Sequence, residues 1–200
     1  MTLNDTALII FIRNPQIGVG KTRLAASVGP QKAFDIYLEL LEATRDLALS
    51  FSGPRYLFYT DFVDNDDEWE NHLFHKYVQV EGDLGQKMRS AFDEVLSEYQ
   101  SALIIGSDCP AMDITDLDSA ANALHQNDLV IGPSEDGGYY LLGMKNAHHS
   151  LFEDIPWSST KTYIQTIRAA DQLSVSVYHL RTLNDIDTIE DWLKYQKESK

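Results

Sequence analysis

Acidic residues follow two apolar segments of this chain, at positions where they could bind a metal ion. Asp108 comes directly after the apolar run 102–105, and Asp136 stands just before Gly137 and Gly138. The missing side chains of two glycines would let a substrate lie against the backbone. A few carboxylate oxygens suit Mg²⁺ or Mn²⁺, which complete their shells with water and substrate phosphates. On spacing alone, a residue that caps its own turn is an equally good interpretation of Asp108.

A glycine-containing loop near the N-terminus offers positive charge. Residues 13–20 lead to Lys21 and Arg23 at the predicted start of a helix. Cations there oppose the helix dipole, so we interpret them as phosphate ligands rather than as a solvated first turn. The pattern also suggests a P-loop, but Pro15 stands where that motif needs a glycine, and proline has a fixed φ and no N–H. A P-loop kinase is therefore the second choice of enzyme.

Composition narrows the classes of partner. The chain has 200 residues and a formal net charge of -15, which argues against nucleic acid and anionic membranes as partners. An anionic substrate must then meet a few clustered cations or a bound metal. Cys109 is the single cysteine, so no intramolecular disulfide forms, and the N-terminal residues lack the pattern of a signal peptide. No apolar run approaches the roughly 18 residues of a membrane span, and we expect a cytoplasmic protein without membrane insertion.

The elements that must position these residues alternate along the chain. Short β-branched runs followed by longer amphipathic ones predict one α/β domain over residues 1–200, with a mainly parallel mixed sheet flanked by helices on both faces. Strands are predicted over 7–12, 55–60, 77–80, 102–105, 129–131, 139–144 and 175–180, and helices from 21, from 30, and over 84–99, 115–126 and 188–197. Thr115 is the predicted cap of its helix. Ligands of such sheets bind at the carboxyl ends of strands, where Asp108 lies.

Several ordered motifs, spread over residues 9–193, resemble those of a known family. They are Pro15-x-x-Gly18-x-x-Lys21-Thr22-Arg23-Leu24, Gly82-Asp83-Leu84-Gly85-Gln86-Lys87-Met88, Ile105-Gly106-Ser107-Asp108-Cys109-Pro110, Gly132-Pro133-x-Glu135-Asp136-Gly137-Gly138-Tyr139-Tyr140-Leu141-x-Gly143, Trp157-Ser158-Ser159 and Asp185-Ile186-Asp187-Thr188-x-Glu190-Asp191. Together they resemble the bacterial rSAM/selenodomain-associated glycosyltransferases of the GT-A type, relatives of phospholactate and molybdopterin guanylyltransferases. Two departures are Ile17-Gly18 in place of the usual Pro-Gly, and Lys87 in place of the usual Arg.

The resemblance implies a Rossmann-like nucleotide-diphospho-sugar transferase fold and assigns roles to individual residues. It implies nucleotide or phosphate binding by Arg13, Gly18, Lys21, Arg23, Gly85 and Lys87, metal binding by Asp108 and Asp136, and an acceptor side at Gly137, Gly138, Tyr139 and Trp157. Asp136 is either a second metal ligand or the residue that faces the acceptor, and it is the candidate catalytic residue. The implied cofactor is Mg²⁺ or Mn²⁺.

Some residues have a structural interpretation beside a functional one. His72 and His75, three apart on a short predicted helix, are better explained as surface histidines than as metal ligands. Cys109 is better explained as a small buried residue than as a nucleophile, because no activating base is indicated. Trp157 either stacks on a sugar or base or anchors a loop.

Two pairs of neighbouring residues near the site have more than one interpretation. Tyr139 and Tyr140 should face opposite sides of the sheet, because consecutive strand residues alternate. One of the two is a candidate for the acceptor pocket. Asp185 and Asp187 either support the site or cap the last helix, and we favour capping for at least one of them.

We therefore expect metal-dependent transfer from a nucleotide-activated donor, with glycosyl transfer from an NDP-sugar to a small-molecule acceptor as the preferred reaction. A nucleotidyltransferase, which would join an NTP to a phosphorylated small molecule and release pyrophosphate, would use the same cradle. The P-loop-like kinase and a non-catalytic nucleotide-binding protein are further alternatives. The sequence leaves the base, the sugar, the acceptor and the oligomeric state open.

Overall fold

The structure, a computed structural model that describes residues 5–198, contains one seven-stranded sheet. Its strands are β1 (Thr6–Ile12), β2 (Arg55–Tyr59), β3 (His75–Val78), β4 (Ser101–Ile105), β5 (Leu129–Pro133), β6 (Tyr139–Met144) and β7 (Val177–His179). From edge to edge their order is β3-β2-β1-β4-β6-β5-β7. Within this sheet β6 is antiparallel to both of its neighbours, whereas the other pairings are parallel.

Helices cover both faces of the sheet. They are α1 (Thr22–Val28), α2 (Pro30–Ser50), α3 (Leu84–Leu96), α4 (Ile114–Ala123), α5 (Thr162–Leu173) and α6 (Ile189–Glu198), together with a 3₁₀ helix over His149–Phe152. Residues of β1 alternate between two cores: Leu8 and Ile10 pack with α2 and α4, and Ala7 and Ile9 pack with α3 and α5. The predicted α/β class, with a mainly parallel mixed sheet between helices, is confirmed. None of the helices within residues 5–198 combines the length and apolar character that crossing a membrane requires.

The reversed strand β6 determines which loops meet at one edge of the sheet. Because β6 runs against β4, it begins where β4 ends, and Ile105 of β4 pairs with Leu141 of β6. The loop that carries Asp108 and the turn that carries Asp136 therefore reach the same edge. The carboxyl ends of β1 and β2 lie at this edge as well, because both strands are parallel to β4.

Two local predictions are wrong: the short helix that would carry His72 and His75, and the cap of α4. The third strand begins at His75, two residues before the predicted start, so His75 lies in a strand and stacks on Tyr56 with ring centroids 4.8 Å apart. His72 lies in a turn, and the predicted short helix is absent from this described segment. The N-cap of α4 is Asp113, whose side chain accepts hydrogen bonds from the backbone N–H groups of Thr115 and Asp116, so Thr115 is not the cap.

Other differences concern the ends of helices and strands, and one helix that was not predicted. The helix predicted over 84–99 ends at Leu96, the one predicted over 115–126 ends at Ala123, and the last strand covers Val177–His179 instead of 175–180. α5 was not predicted, because its twelve residues bury only Thr162, Thr166 and Ala170. These are small or polar side chains, and the larger apolar residues Tyr163 and Ile167 are only partly buried against the core.

Candidate functional site

A cleft of about 710 Å³ opens at the carboxyl edge of β1 and β4. Six of the predicted site residues line it: Arg13, Lys21, Arg23, Lys87, Asp108 and Tyr139. The other six are not among its lining residues: Gly18, Gly85, Asp136, Gly137, Gly138 and Trp157. The cleft thus gathers the predicted cations and one predicted metal ligand from four separate segments of the chain.

The first loop turns sharply into α1. Gly18 and Gly20 have φ angles of 81° and 72°, and Lys21 itself has a left-handed φ of 44° as the N-cap of α1. The left-handed region favours glycine, so Lys21 holds a costly conformation that its contacts must stabilise. Gly18 lines a small neighbouring hollow beneath the loop instead of the main cleft. The loop therefore presents Lys21 to the cleft and keeps Gly18 behind it.

Lys21 and Asp108, which are far apart in the sequence, form an ion pair. The ammonium Nζ lies 2.7 Å from Asp108 Oδ1 and donates a hydrogen bond of 2.6 Å to the carbonyl of Ile186. The Ile186 N–H in turn donates to the Asp108 carbonyl at 2.8 Å. Three segments are thereby tied together: the first loop, the loop after β4, and residues 185–187.

A second pair of acidic residues, Asp185 and Asp187, also lines the cleft. Burial, together with the negative charges of Asp108 and Asp136, raises the pKa of Asp185 to about 7. Such a shift means that ionised Asp185 lacks sufficient positive charge around it. Asp187 lies 3.3 Å from Arg23 Nη1 and 4.0 Å from Lys21 Nζ. Acidic charge therefore exceeds the charge of the nearby cations at this end of the cleft.

The prediction that Asp185 or Asp187 caps the last helix is wrong. Thr188 Oγ1 accepts from the Asp191 N–H at 3.2 Å, and Asp191 Oδ2 accepts from the Thr188 N–H at 2.8 Å. Thr188 and Asp191 thus form a reciprocal capping pair before α6. Because Thr188 and Asp191 already cap α6, neither Asp185 nor Asp187 is needed as the cap, and both residues line the cleft.

Two cations of the cleft have no carboxylate partner. Within residues 5–198, neither Arg13 nor Lys87 forms an ion pair. Arg13 is exposed, and its side chain crosses Gly20, where an added Cβ would lie 2.9 Å from the Arg13 Cδ. Arg89, two residues after Lys87 in α3, lies 3.9 Å from Asp93 in the next turn of the helix. Arg13 and Lys87 are therefore the cations that remain available to an anionic ligand.

Three polar residues that the sequence analysis did not single out support the cleft. The Tyr37 hydroxyl accepts from the Arg13 N–H at 3.0 Å and donates to the Arg13 carbonyl at 2.8 Å. Burial raises the pKa of Tyr37 to about 12, so it stays a neutral donor. The Asn14 amide bonds the backbone of Phe62, and Gln79 donates to the carbonyls of Ile12 and Phe58. Their partners lie distant in sequence, which explains why no local motif revealed them.

The predicted acceptor side includes a turn over residues 134–138 that several hydrogen bonds hold in place. Asp136 Oδ1 accepts from the Ser134 hydroxyl and, at 2.9 Å, from the Gly138 N–H, and the residue is exposed. Gly137 has a φ of 90°, and a Cβ there would lie 2.2 Å from the Thr160 carbonyl oxygen. The Gly137 carbonyl accepts from the Tyr163 N–H in the first turn of α5 at 2.9 Å. The glycine thus permits close contact with the segment that leads into α5.

Aromatic residues near the cleft take part in both packing and lining. Tyr139 packs with the core beneath α3 and Tyr140 with the opposite core, as alternation predicts, and both residues line the cleft. Trp157 stacks on Phe152 with centroids 6.5 Å apart, and its indole fills the space that a Cβ on Gly85 would need. Burial raises the pKa of Cys109 well above its ordinary value, which agrees with a structural role for this thiol.

The fold is shared with enzymes that act on activated nucleotides. The chain aligns over 98% of its length with 88% of a protein from Desulfovibrio desulfuricans G20, provisionally described as a nucleotide-diphospho-sugar transferase, at 25% identity and a TM-score of 0.91. It aligns over 98% with 97% of the 4-diphosphocytidyl-2C-methyl-D-erythritol synthase of Anaerococcus prevotii DSM 20548, at 12% identity and a TM-score of 0.65. For the inositol-1-phosphate CTP transferase of T. maritima the coverages are 92% and 90%, with 14% identity and a TM-score of 0.61. These structures define the nucleotide-diphospho-sugar transferase class of fold.

A family match locates the chain more narrowly. Residues 43–159 match DUF2064, a family described as uncharacterized proteins conserved in bacteria, and the chain belongs to this family. The matched segment includes Lys87, Asp108 and Asp136. No curated protein matches the sequence.

Proposed function

We propose that this protein is a metal-dependent transferase that binds a nucleotide-activated donor in the cleft and transfers a glycosyl group from an NDP-sugar to a small-molecule acceptor. The observation that carries the proposal is the meeting of Asp108 with the unpaired cations Arg13 and Lys87 in one cleft at the carboxyl edge of the sheet. The 25% identical structure from Desulfovibrio desulfuricans supports it. Assignment to the rSAM/selenodomain-associated subgroup is part of the same proposal.

The carboxylates fit Mg²⁺ or Mn²⁺ in their chemistry. Asp108 and Asp136 would hold the ion, and the raised pKa of Asp185, due to burial and the neighbouring carboxylates, indicates a need for positive charge at this place. Within residues 5–198, no group of three or more His, Cys, Asp or Glu side chains is arranged to hold a metal. Water and donor phosphate would therefore complete the shell. Once bound, the ion would supply Lewis-acid stabilisation of the departing phosphate.

The chain's own side chains do the positioning. Arg13 and Lys87, which line the cleft from separate segments of the chain, bind phosphate oxygens, and Arg23, held near Asp187, adds a third cation. Gly18 gives the first loop its turn, and Gly85 lets Trp157 support the wall that carries Lys87. Charge that develops on the leaving group is stabilised by groups already in place.

The acceptor approaches from the side of Tyr139. Asp136, on the turn before β6, is proposed either as a second metal ligand or as the residue that faces the acceptor. Its hydrogen bond from the Gly138 N–H, at 2.9 Å, holds the carboxylate in a fixed orientation on the turn. Gly137 packs against the Thr160 carbonyl and shapes this turn, and Gly138 is the glycine whose backbone the acceptor would meet. Trp157 supports the site from behind Gly85.

Nucleotidyl transfer is the second candidate. Both distant structural matches named above are nucleotidyltransferases, and the same cradle would hold an NTP. The two reactions differ in product: an NDP-sugar leaves free NDP, and an NTP with a phosphorylated acceptor leaves pyrophosphate. Product analysis with both donor classes separates them, and ADP formed from ATP alone would indicate the kinase instead.

A thermal-shift screen tests the binding site itself. NTPs and NDP-sugars are added with and without Mn²⁺, and a ligand at one hundred times its Kd should add about 2.7 kcal/mol, or several degrees, of stability. Asp108→Asn should abolish the Mn²⁺-dependent part and leave the fold intact. Asp171→Asn, an exposed change on α5, is the matched control and should keep the full shift. An unchanged shift in Asp108→Asn would remove Asp108 from the metal site.

A further inference from the structure

Lys21 differs from the other cations of the cleft in how it is held. Its side chain is only 8% exposed, and its ammonium contacts both Asp108 Oδ1 and the Ile186 carbonyl. Arg13 and Lys87 line the same cleft without a carboxylate partner in the described residues. A buried ammonium needs a counter-charge, and Asp108 supplies it at 2.7 Å, whereas the next carboxylate, Asp187, lies 4.0 Å away. The position of Lys21 therefore depends chiefly on Asp108.

Asp108, in contrast, remains open to the cleft. Its side chain is 48% exposed, and in the described chain only Oδ1 contacts a cation. A divalent cation that binds this carboxylate must therefore compete with the Lys21 ammonium, because two positive groups at one carboxylate repel each other. Lysine has a flexible four-carbon stem, which allows the ammonium to move without a change in the loop.

We propose that Lys21 is the exchangeable counter-ion of Asp108. The ammonium neutralises Asp108 while no divalent cation is bound, and it is released toward the donor phosphates when a cation takes the carboxylate. This inference rests on the proposed metal-dependent function. It couples the two ligands, because metal binding makes Lys21 available to phosphate, and phosphate that draws Lys21 away makes Asp108 available to metal.

If the Lys21 ammonium and a divalent cation exchange at Asp108, one Lys21 variant should bind Mn²⁺ more tightly and pyrophosphate more weakly. Lys21→Gln removes the charge and keeps an N–H for the Ile186 carbonyl. It should bind Mn²⁺ alone about tenfold more tightly than the parent, equivalent to about 1.4 kcal/mol. It should bind inorganic pyrophosphate at saturating Mn²⁺ at least tenfold more weakly. Calorimetry with Mn²⁺ and then with pyrophosphate measures both, and Lys21→Met repeats the test without the retained N–H.

Lys87→Met is the matched control. It removes one positive charge from the same cleft, but from a residue that no carboxylate contacts in the described chain. It should weaken pyrophosphate binding and change Mn²⁺ affinity by less than twofold. Comparing the Mn²⁺ affinities of the Lys21 variants with that of Lys87→Met shows whether tighter binding comes from freeing the Asp108 carboxylate or only from the loss of one positive charge in the cleft. Melting temperatures of all variants show whether each is folded.

The outcomes distinguish the exchange from the proposed function. Tighter Mn²⁺ binding in the Lys21 variants, beyond that in Lys87→Met, supports the exchange. Equal Mn²⁺ affinity in Lys21→Gln, Lys87→Met and the parent overturns the exchange, while the metal site stands if Asp108→Asn abolishes binding. Absence of Mn²⁺ binding in every protein overturns both the metal site and the exchange.

Discussion

Gly85 lies in the first turn of α3, where the indole of Trp157 occupies the space that any side chain would need. A Cβ at this position would lie 2.6 Å from the indole ring atoms, whereas a Cβ on Gly106 would meet nothing within 4 Å. The contact explains why glycine is required here without a ligand. In the proposed donor site, Gly85 would thus act indirectly, by letting Trp157 support the wall that carries Lys87.

We expect Gly85→Ala to destabilise the protein by about 1–3 kcal/mol, because a rigid ring must move to admit the methyl group. Gly106→Ala, the matched control, should stay within about 0.5 kcal/mol. Urea denaturation measures both. Equal stabilities for the two variants would show that Trp157 moves aside at little cost.

Asp185 gives the protein a predictable response to pH. Its pKa is raised to about 7, first by burial and then by Asp108 and Asp136. The folded state thus favours the neutral acid, while the unfolded chain ionises near the ordinary value of 3.8. Stability from the neutral form is therefore fully present below about 3.8 and is lost as pH rises toward 7.

Asp185→Asn imitates the neutral acid at every pH. In metal-free buffer it should exceed the parent in stability by on the order of 1 kcal/mol at pH 8, and the difference should shrink as the pH is lowered from 7 to 4. Asp171→Asn, on an exposed face of α5, should show no such trend. Urea denaturation at several pH values is the measurement, and a difference that grows toward acid pH would contradict the assignment.

At the scale of elements, the start of α4 depends on Asp113. Its carboxylate accepts from the N–H groups of Thr115 and Asp116 and lies 3.0 Å from Arg181 Nη2. Asp116 completes the box by accepting from the Asp113 N–H at 3.0 Å. This cap also joins α4 to the segment after β7, through Arg181.

Asp113→Ala should cost about 1 kcal/mol or slightly more, since it removes both the cap and a partner of Arg181. Thr115→Ala, at the position that the sequence indicated as the cap, should cost clearly less. Chemical denaturation at neutral pH compares the two. A larger loss of stability in Thr115→Ala than in Asp113→Ala would show that Thr115 is the cap.

The sequence predicted elements well where apolar periodicity is strong. The buried strands β1 and β4 lie within one residue of their predicted bounds, because nearly every side chain in them is buried. α5 and β3 were missed or displaced because their buried positions are few or polar, so tertiary contacts determine them.

In the candidate site, too, the sequence revealed individual residues but not the contacts between distant segments. Asp108, Lys21 and Arg13 were found from loop position and charge, but the ion pair between Lys21 and Asp108 joins residues from two different loops. The supporting roles of Tyr37 and Asn14 depend on partners that only the fold brings near.

At the scale of the whole molecule, the net charge of -15 contrasts with the cations gathered in the cleft. A protein with this charge attracts Mn²⁺ from a distance and repels free diphosphate. Salt reduces both effects, because the screening length falls from roughly 10 Å at 0.1 M to about 3 Å at 1 M. Under the proposed function, the acidic surface would therefore favour binding of the metal before or together with the donor.

We expect Mn²⁺ affinity to fall on the order of tenfold between 0.05 and 0.5 M NaCl, because screening removes the long-range attraction and leaves only the local carboxylates. Glu39→Gln with Glu42→Gln, on an exposed part of α2 that does not line the cleft, changes the net charge from -15 to -13. This double variant should lose at most about twofold in affinity, whereas Asp108→Asn should lose nearly all of it. Calorimetry at each salt concentration is the measurement. If the remote double variant weakens Mn²⁺ as strongly as Asp108→Asn does, the ion is held by the general acidic surface, and the assignment of Asp108 as its ligand is wrong.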